Sequence, residues 1–208
     1  MSIPATTATT FRYPYVIGWT GEVEQHSLKW IPRHGGLRLS YTVPRQGDRS
    51  NGVLRLRQGQ SRTGRPDFKT VNTWRQWRCM EQRLCQVCTG SAVDRETGRI
   101  WWLLSGDGRD GDGYTNAPPT CRTCIPEAIS QCSHLRRNAA VFTVGDCSPF
   151  GVRADVFVPY LPPLVPFERN AVLRFDEYDM HHALARELLM RLHDVQLAVT
   201  QSDAPSGA

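Results

Sequence analysis

Apolar and polar residues alternate along Leu37-Arg38-Leu39-Ser40-Tyr41-Thr42-Val43 and again along Val53-Leu54-Arg55-Leu56-Arg57. That period of two marks strands with one buried face. Gly35-Gly36 and Pro44 punctuate the first of them, and Tyr13-Pro14-Tyr15-Val16-Ile17 is a third β-prone run, so the first third of the chain reads as a small antiparallel sheet. Residues 58–70 are rich in Gly, Arg and polar side chains and read as a loop. The period then changes. Trp74, Trp77 and Met80 recur at helical spacing behind Asn72 and Thr73, either of which can cap a helix from about Trp74 to Leu84. Gly98 to Leu104 is a candidate buried strand, residues 105–117 a Gly/Asp loop, and Cys121 to about Cys132 a short helix. Residues 139–144 and 152–158 read as two strands joined by a turn at Ser148-Pro149-Phe150-Gly151, with Ala171 to Phe175 as another strand. Leu184, Leu188, Leu192, Val195 and Val199 form an apolar stripe, which predicts an amphipathic helix over Glu177–Val199 capped by Asp176. The chain is thus expected to be one α+β domain over residues 11–200: a β-rich N-terminal part, a central metal-binding module at about 72–135 and a C-terminal amphipathic helix. Met1 to Thr10 and residues 201–208 read as disordered tails.

The central module rests on cysteines. Cys85-Gln86-Val87-Cys88 and Cys121-Arg122-Thr123-Cys124 are two CxxC pairs with 32 residues between them. A two-residue gap lets both thiolates of a pair reach one ion, and two pairs complete the four soft ligands of a tetrahedral zinc site. Thr89-Gly90 after the first pair suits a knuckle turn, and Pro126 just after the second suits the first turn of a helix. A knuckle, a hairpin, then ligands at a helix start is the order of a treble-clef finger. Cys85, Cys88, Cys121 and Cys124 are the expected zinc ligands; the alternative is a redox dithiol or plain burial. Cys79 and Cys132 read as buried helix cysteines, although Cys132-Ser133-His134 offers donors for a second site. Cys147 has no assigned role, and His181, His182 and His193 read as surface or core residues.

Residues 84–127, with Asn116-Ala117-Pro118-Pro119-Thr120 ahead of the second pair, resemble the zinc module of HNH endonucleases. The resemblance implies a metal-dependent nuclease, but the family's catalytic histidine between the two pairs is missing: no histidine lies between His34 and His134. Asp94, Glu96, Asp107, Asp110 and Asp112 are the carboxylates left for a hard cation such as Mg²⁺. Asn72 to Cys88 and Asn116 to Arg136 also resemble a group of actinomycete proteins with the same paired CxxC motifs, a likeness that carries no activity. Thr120 replaces the proline of the zinc-deaminase motif, and no His-x-Glu, P-loop or GxSxG occurs.

Charge sharpens the picture. The net charge is +5, yet Arg49 to Arg83 holds nine basic residues against two acids, a local +7 in a chain otherwise at −2. Such a block suits a polyanion, and Arg62, Arg65, Lys69, Arg75 and Arg78 are the candidate contacts to DNA or RNA. Trp74 and Trp77 could stack on bases, but packing in the core is the better reading of both. A protein partner or self-association through Pro159–Pro166 and the last helix is the third possibility. Mean hydropathy is −0.42 and no apolar run reaches the ~18 residues of a membrane span. Seven cysteines with no signal-like N-terminus point to a reducing compartment, hence to the cytoplasm.

Overall fold

The computed structural model describes residues 12–25, 27–105, 113–162, 165–176 and 180–200; both expected tails lie outside them. Eight short strands come first: β1 (Ile17–Trp19), β2 (Glu24–Gln25), β3 (Leu28–Arg33), β4 (Gly36–Tyr41), β5 (Arg49–Ser50), β6 (Val53–Arg55), β7 (Arg57–Gln58) and β8 (Pro66–Val71). Helix α1 (Thr73–Glu81), β9 (Ile100–Ser105), β10 (Tyr114–Thr115), α2 (Ile125–Gln131) and α3 (Ser133–Asn138) follow. The chain closes with β11 (Ala139–Val156), β12 (Glu168–Arg174), a 3₁₀ turn at Met180–His182 and β13 (Ala183–Thr200). The fold is mixed α/β, and no helix among the described residues is long and apolar enough to cross a membrane.

Its backbone is the antiparallel ribbon of β11 and β13, 18 residues each, paired from Val156↔Ala183 to Ala140↔Thr200. On its other edge β11 carries β9 along residues 139–144 and β12 along 151–156. The free edge of β13 takes β6 in parallel at Leu184–Ala185 and β10 at Met190–Arg191. Between these two, Gln76 from α1 acts as a one-residue strand: its amide donates to the Leu188 carbonyl at 2.9 Å and accepts the Leu188 N–H at 3.0 Å. A buried amide that satisfies both backbone groups removes the penalty of an unpaired strand edge. Trp77, Met80, Trp102, Val144, Val152 and Leu188 form the centre of the main core, between α1 and the sheet.

Three expectations need correcting here. The C-terminal amphipathic helix is instead β13. Leu184, Leu188 and Leu192 are buried as anticipated, but a four-residue spacing is one turn of helix and also two repeats of a strand. Ala183, Ala185 and Leu189 are buried as well, as in a strand covered on both faces, and a helix with a solvent side does not bury them all. The turn at Ser148–Gly151 is instead a bulge within the continuous β11, where pairing with β13 shifts register between Pro149 and Gly151. The presumed loop over 58–70 also contains β8, which pairs with β1.

Gly151 is required by close approach. A Cβ there would lie 2.2 Å from the Leu173 carbonyl oxygen of β12, a backbone atom with nowhere to go. Gly151→Ala is therefore expected to destabilise the protein by ~2–3 kcal/mol, read as a lower urea midpoint with unchanged slope. An unchanged midpoint would contradict this packing.

Candidate metal centre

Helix α1 delivers the first cysteine pair. Asn72 caps it by accepting the Arg75 N–H, while its amide donates to Glu22 at 3.1 Å and to the Gly59 carbonyl at 2.9 Å. The helix ends at Glu81, Arg83 turns the chain with a φ of 54°, and the Leu84 N–H returns to the Cys79 carbonyl at 2.9 Å. The next six residues fold into a tight knuckle. The Cys85 N–H donates to the Gly90 carbonyl at 2.7 Å, the Thr89 N–H to the Cys85 carbonyl at 2.9 Å, and the Val87 N–H to the Cys85 sulfur at 3.4 Å. Thr89 takes a φ of 64° to close the turn.

The chain then doubles back. Val93 pairs with Ile100, and the Asp94 N–H donates to the Arg99 carbonyl at 2.7 Å, so residues 92–101 form a hairpin leading into β9. The second pair closes a turn of its own, with the Cys124 N–H donating to the Cys121 carbonyl at 2.9 Å, and Cys124 directly precedes α2. Gln86 ties the two halves together. Its N–H donates to the Pro119 carbonyl at 2.8 Å, and its side-chain amide donates to the Pro118 carbonyl and the Thr120 hydroxyl.

The result is one cluster. The sulfurs of Cys85, Cys88, Cys121 and Cys124 all lie within 4.8 Å of one another, and those of Cys88 and Cys121 are 3.7 Å apart. Four thiolates around a tetrahedral zinc at ~2.3 Å would stand about 3.8 Å apart, so the donor set and its spacing fit such an ion. These four residues can hold a metal ion, and among the described residues no other group of three His, Cys, Asp or Glu side chains can. Cys85 and Cys124 are buried, and Cys88 and Cys121 half-buried. Burial pushes the Cys85 thiol up to about 11 and raises that of Cys124. At Cys88 burial acts in the same direction but is outweighed by hydrogen bonds, first from the Gly90 N–H, and the net shift is downward.

The remaining cysteines stand apart from the cluster. Cys79 is buried with its thiol pushed up to about 12 by burial, Cys147 is buried in the sheet, and Cys132 is half-buried at the end of α2. The His182 ring lies 3.1 Å from the Leu37 carbonyl and that of His193 2.8 Å from the Ser148 hydroxyl. Of the carboxylates considered for a hard cation, Asp94 and Glu96 belong to no metal-holding group among the described residues. Asp94 accepts from the Glu96 and Thr97 N–H groups, the Thr97 hydroxyl and the Trp101 indole, which, with the indole first, hold its pKa down at about 2. Glu96 is exposed, and Asp107, Asp110 and Asp112 lie outside the described residues. Asn116 donates to Glu187 at 2.6 Å and accepts from Gln76 through its carbonyl, a structural link between α1 and β13.

The basic segment divides in two. Arg75, a candidate phosphate contact, is 2% exposed and forked onto Glu22 at 2.5 and 2.7 Å, so it is withdrawn from that list. Arg57 pairs with Asp48 in the same manner, Arg55 is buried with its guanidinium 4.0 Å from the Trp74 ring, and Arg83 pairs with Asp146. Trp77 is fully buried, as expected of a core residue. Arg62, Arg65, Lys69 and Arg78 are exposed, and among the described residues no carboxylate pairs with any of them. Sequence reasoning missed Glu22, Asp48 and Gln76, which carry no motif and find their partners only through the fold.

The fold and site together define a mixed α/β protein with a cluster of four cysteines that can hold a metal ion. No protein-family model, curated protein or solved structure matches the chain.

Proposed function

We propose that the protein is a zinc-stabilised binding module, with a structural zinc at Cys85, Cys88, Cys121 and Cys124 and a polyanion, DNA or RNA, as its partner. The observation that carries the reading is the convergence of four sulfurs within 4.8 Å from two distant segments. An all-cysteine shell leaves no open position for water or substrate, which favours a structural over a catalytic role. The order of knuckle, hairpin and helix around the ligands supports a treble-clef arrangement. Thiolate ligands of this kind suit a reducing compartment such as the cytoplasm.

The polyanion part rests on four exposed cations, Arg62, Arg65, Lys69 and Arg78, that no carboxylate neutralises among the described residues. Affinity for fluorescein-labelled oligonucleotides, measured by anisotropy between about 50 and 200 mM salt, tests it. Wild type is expected to bind with a steep salt dependence. Reversing all four charges to glutamate should lower affinity at least tenfold and flatten the slope, each lost phosphate contact being worth ~0.7–0.9 in the slope. An unchanged slope and affinity in that variant would overturn the assignment.

A further inference from the structure

We infer that the outer face of the β3–β4 hairpin binds double-stranded DNA, lying against the phosphates that line its major groove. This rests on the nucleic-acid reading above, and adds the form of the partner and a second face of cations. Among the described strands, β3 and β4 pair only with each other, in unbroken register from Leu28↔Tyr41 to Arg33↔Gly36. Residues directly opposite share a face. Leu28, Trp30, Leu39 and Tyr41 turn inward together, into a core cluster with Leu54, Leu56 and Leu184. The outer face is left with Lys29, Ile31 and Arg33 on β3 and with Arg38 and Ser40 on β4. Lys29 and Arg33 are exposed, and Arg38 is half-buried. Arg49 reaches the same hairpin from β5, donating to the Leu39 carbonyl.

This face lacks a counterion. Between Glu24 and Asp48 the chain carries four cations, Lys29, Arg33, Arg38 and Arg45, and no acid. Among the described residues no carboxylate pairs with Lys29, Arg33, Arg38 or Arg49, whereas Arg57, Arg75 and Arg186 each hold one. Asp48, next to Arg49, is taken by Arg57. The Arg38 Nε is buried and finds no acceptor among the described residues. The Arg49 pKa is lowered, first by burial and then by the charge of Arg38. Cations held together without an acid are relieved by an anion from outside, and a guanidinium suits phosphate. The shape selects the form of that anion. A single strand is gripped by rings under its bases, and the outer face carries no aromatic side chain. A duplex keeps its bases stacked and offers two rows of phosphates instead. Two strands of six residues make a ribbon ~20 Å long, an element that the ~12 Å major groove of B-DNA admits and the deep, narrow groove of an RNA duplex does not. At the tip, Gly35 and Gly36 take φ of 83° and 143°, and a Cβ on either would meet nothing within 4 Å. The end of the ribbon is thus open among the described residues.

The test uses the full-length, zinc-loaded protein and fluorescein-labelled oligonucleotides of one mixed sequence, as duplex DNA, single-stranded DNA and duplex RNA. Wild type should bind duplex DNA about tenfold or more tighter than the other two. The triple variant Lys29→Glu, Arg33→Glu, Arg38→Gln should weaken duplex binding by about tenfold or more and lower the salt slope by ~2–3, each lost phosphate contact being worth ~0.9. None of the three side chains has a carboxylate partner to lose among the described residues, so the variant should melt as wild type does. Arg33→Glu alone, at an exposed position, should weaken binding about threefold, and guards against misfolding of the triple variant. The exchange Lys29→Arg with Arg33→Lys keeps the charge and should bind as wild type does. Methyl green, which fills the major groove, should displace the protein, and netropsin, which fills the minor groove, should not. A triple variant that binds duplex DNA like wild type would overturn the hairpin assignment; if the reversal of Arg62, Arg65, Lys69 and Arg78 still weakens binding, the polyanion reading survives alone. Equal or tighter binding to the single strand or the RNA duplex, or displacement by netropsin but not by methyl green, would also overturn the hairpin assignment. Failure of wild type to bind any of the three would overturn both.

Discussion

Replacing Cys124 with serine should abolish metal binding and unfold the knuckle at residues 85–90 together with the turn at 121–124. The reason is how little else holds these two turns. Around the knuckle the buried apolar cluster consists of Cys85, Val87 and Cys124, flanked by half-buried Cys88 and Cys121. That is too small a core to hold the two turns together by hydrophobic burial, and the Gln86 hydrogen bonds supply only ~1 kcal/mol each. Structural zinc in small domains contributes an apparent 10–16 kcal/mol at neutral pH, roughly the whole stability of an ordinary domain. Cys85→Ser should behave in the same way, whereas Cys79→Ser, outside the cluster, should retain one zinc per chain. Thermal melts by far-UV circular dichroism, with released zinc titrated alongside, separate these outcomes. A Cys124→Ser protein that is metal-free yet melts like wild type would show that the cysteines are only packed together.

Arg75→Met should cost about 3–5 kcal/mol, because it leaves the Glu22 carboxylate buried without its cation. Glu22 is 6% exposed and receives both arms of the Arg75 fork, the Asn72 amide and the N–H groups of Trp19 and Arg62. It therefore fastens α1 to β1 and to the loop before β8. Arg75→Lys should recover only part of the loss, since an ammonium cannot reproduce the two-pronged contact. The pair also sets an acid limit. Burial by itself would raise the Glu22 pKa, but the Arg75 hydrogen bonds and charge, with Asn72, outweigh it and lower the value from 4.5. A carboxylate depressed in the folded state stabilises fully above its unfolded pKa and loses that contribution as pH falls through the folded value. Wild-type stability, followed by urea unfolding, should accordingly fall as the pH drops below about 4.5, and Glu22→Gln should flatten that decline while being less stable at pH 7.

What was legible in the sequence was local. Asn72, the cap, and the Trp77/Met80 spacing place the start of α1 within one residue, because capping and periodicity act within a few positions, whereas the helix ends at Glu81, three residues before the expected Leu84. The CxxC pairs were legible for the same reason: each knuckle is set by its own four residues, and four soft donors leave few chemical options. The errors came from signals shared by two structures. Leucines four apart satisfy both helix and strand, and only the partner strand β11 decides between them for β13. Pro149 and Gly151 look like a turn from sequence, yet here they bend one long strand past β12. Arginine counts were the least informative, since whether Arg75 or Arg62 faces water depends on Glu22, 53 positions from Arg75. A basic segment in sequence is thus not a basic surface: it becomes one only after the buried pairs with Glu22 and Asp48 are set aside.

The most direct test of the account is native mass spectrometry, with elemental analysis, of protein purified without added metal. One zinc per chain is the predicted result, lost together in the Cys85→Ser and Cys124→Ser variants and kept in Cys79→Ser. A metal-free chain that is fully folded, or a zinc that stays bound after both substitutions, would contradict it.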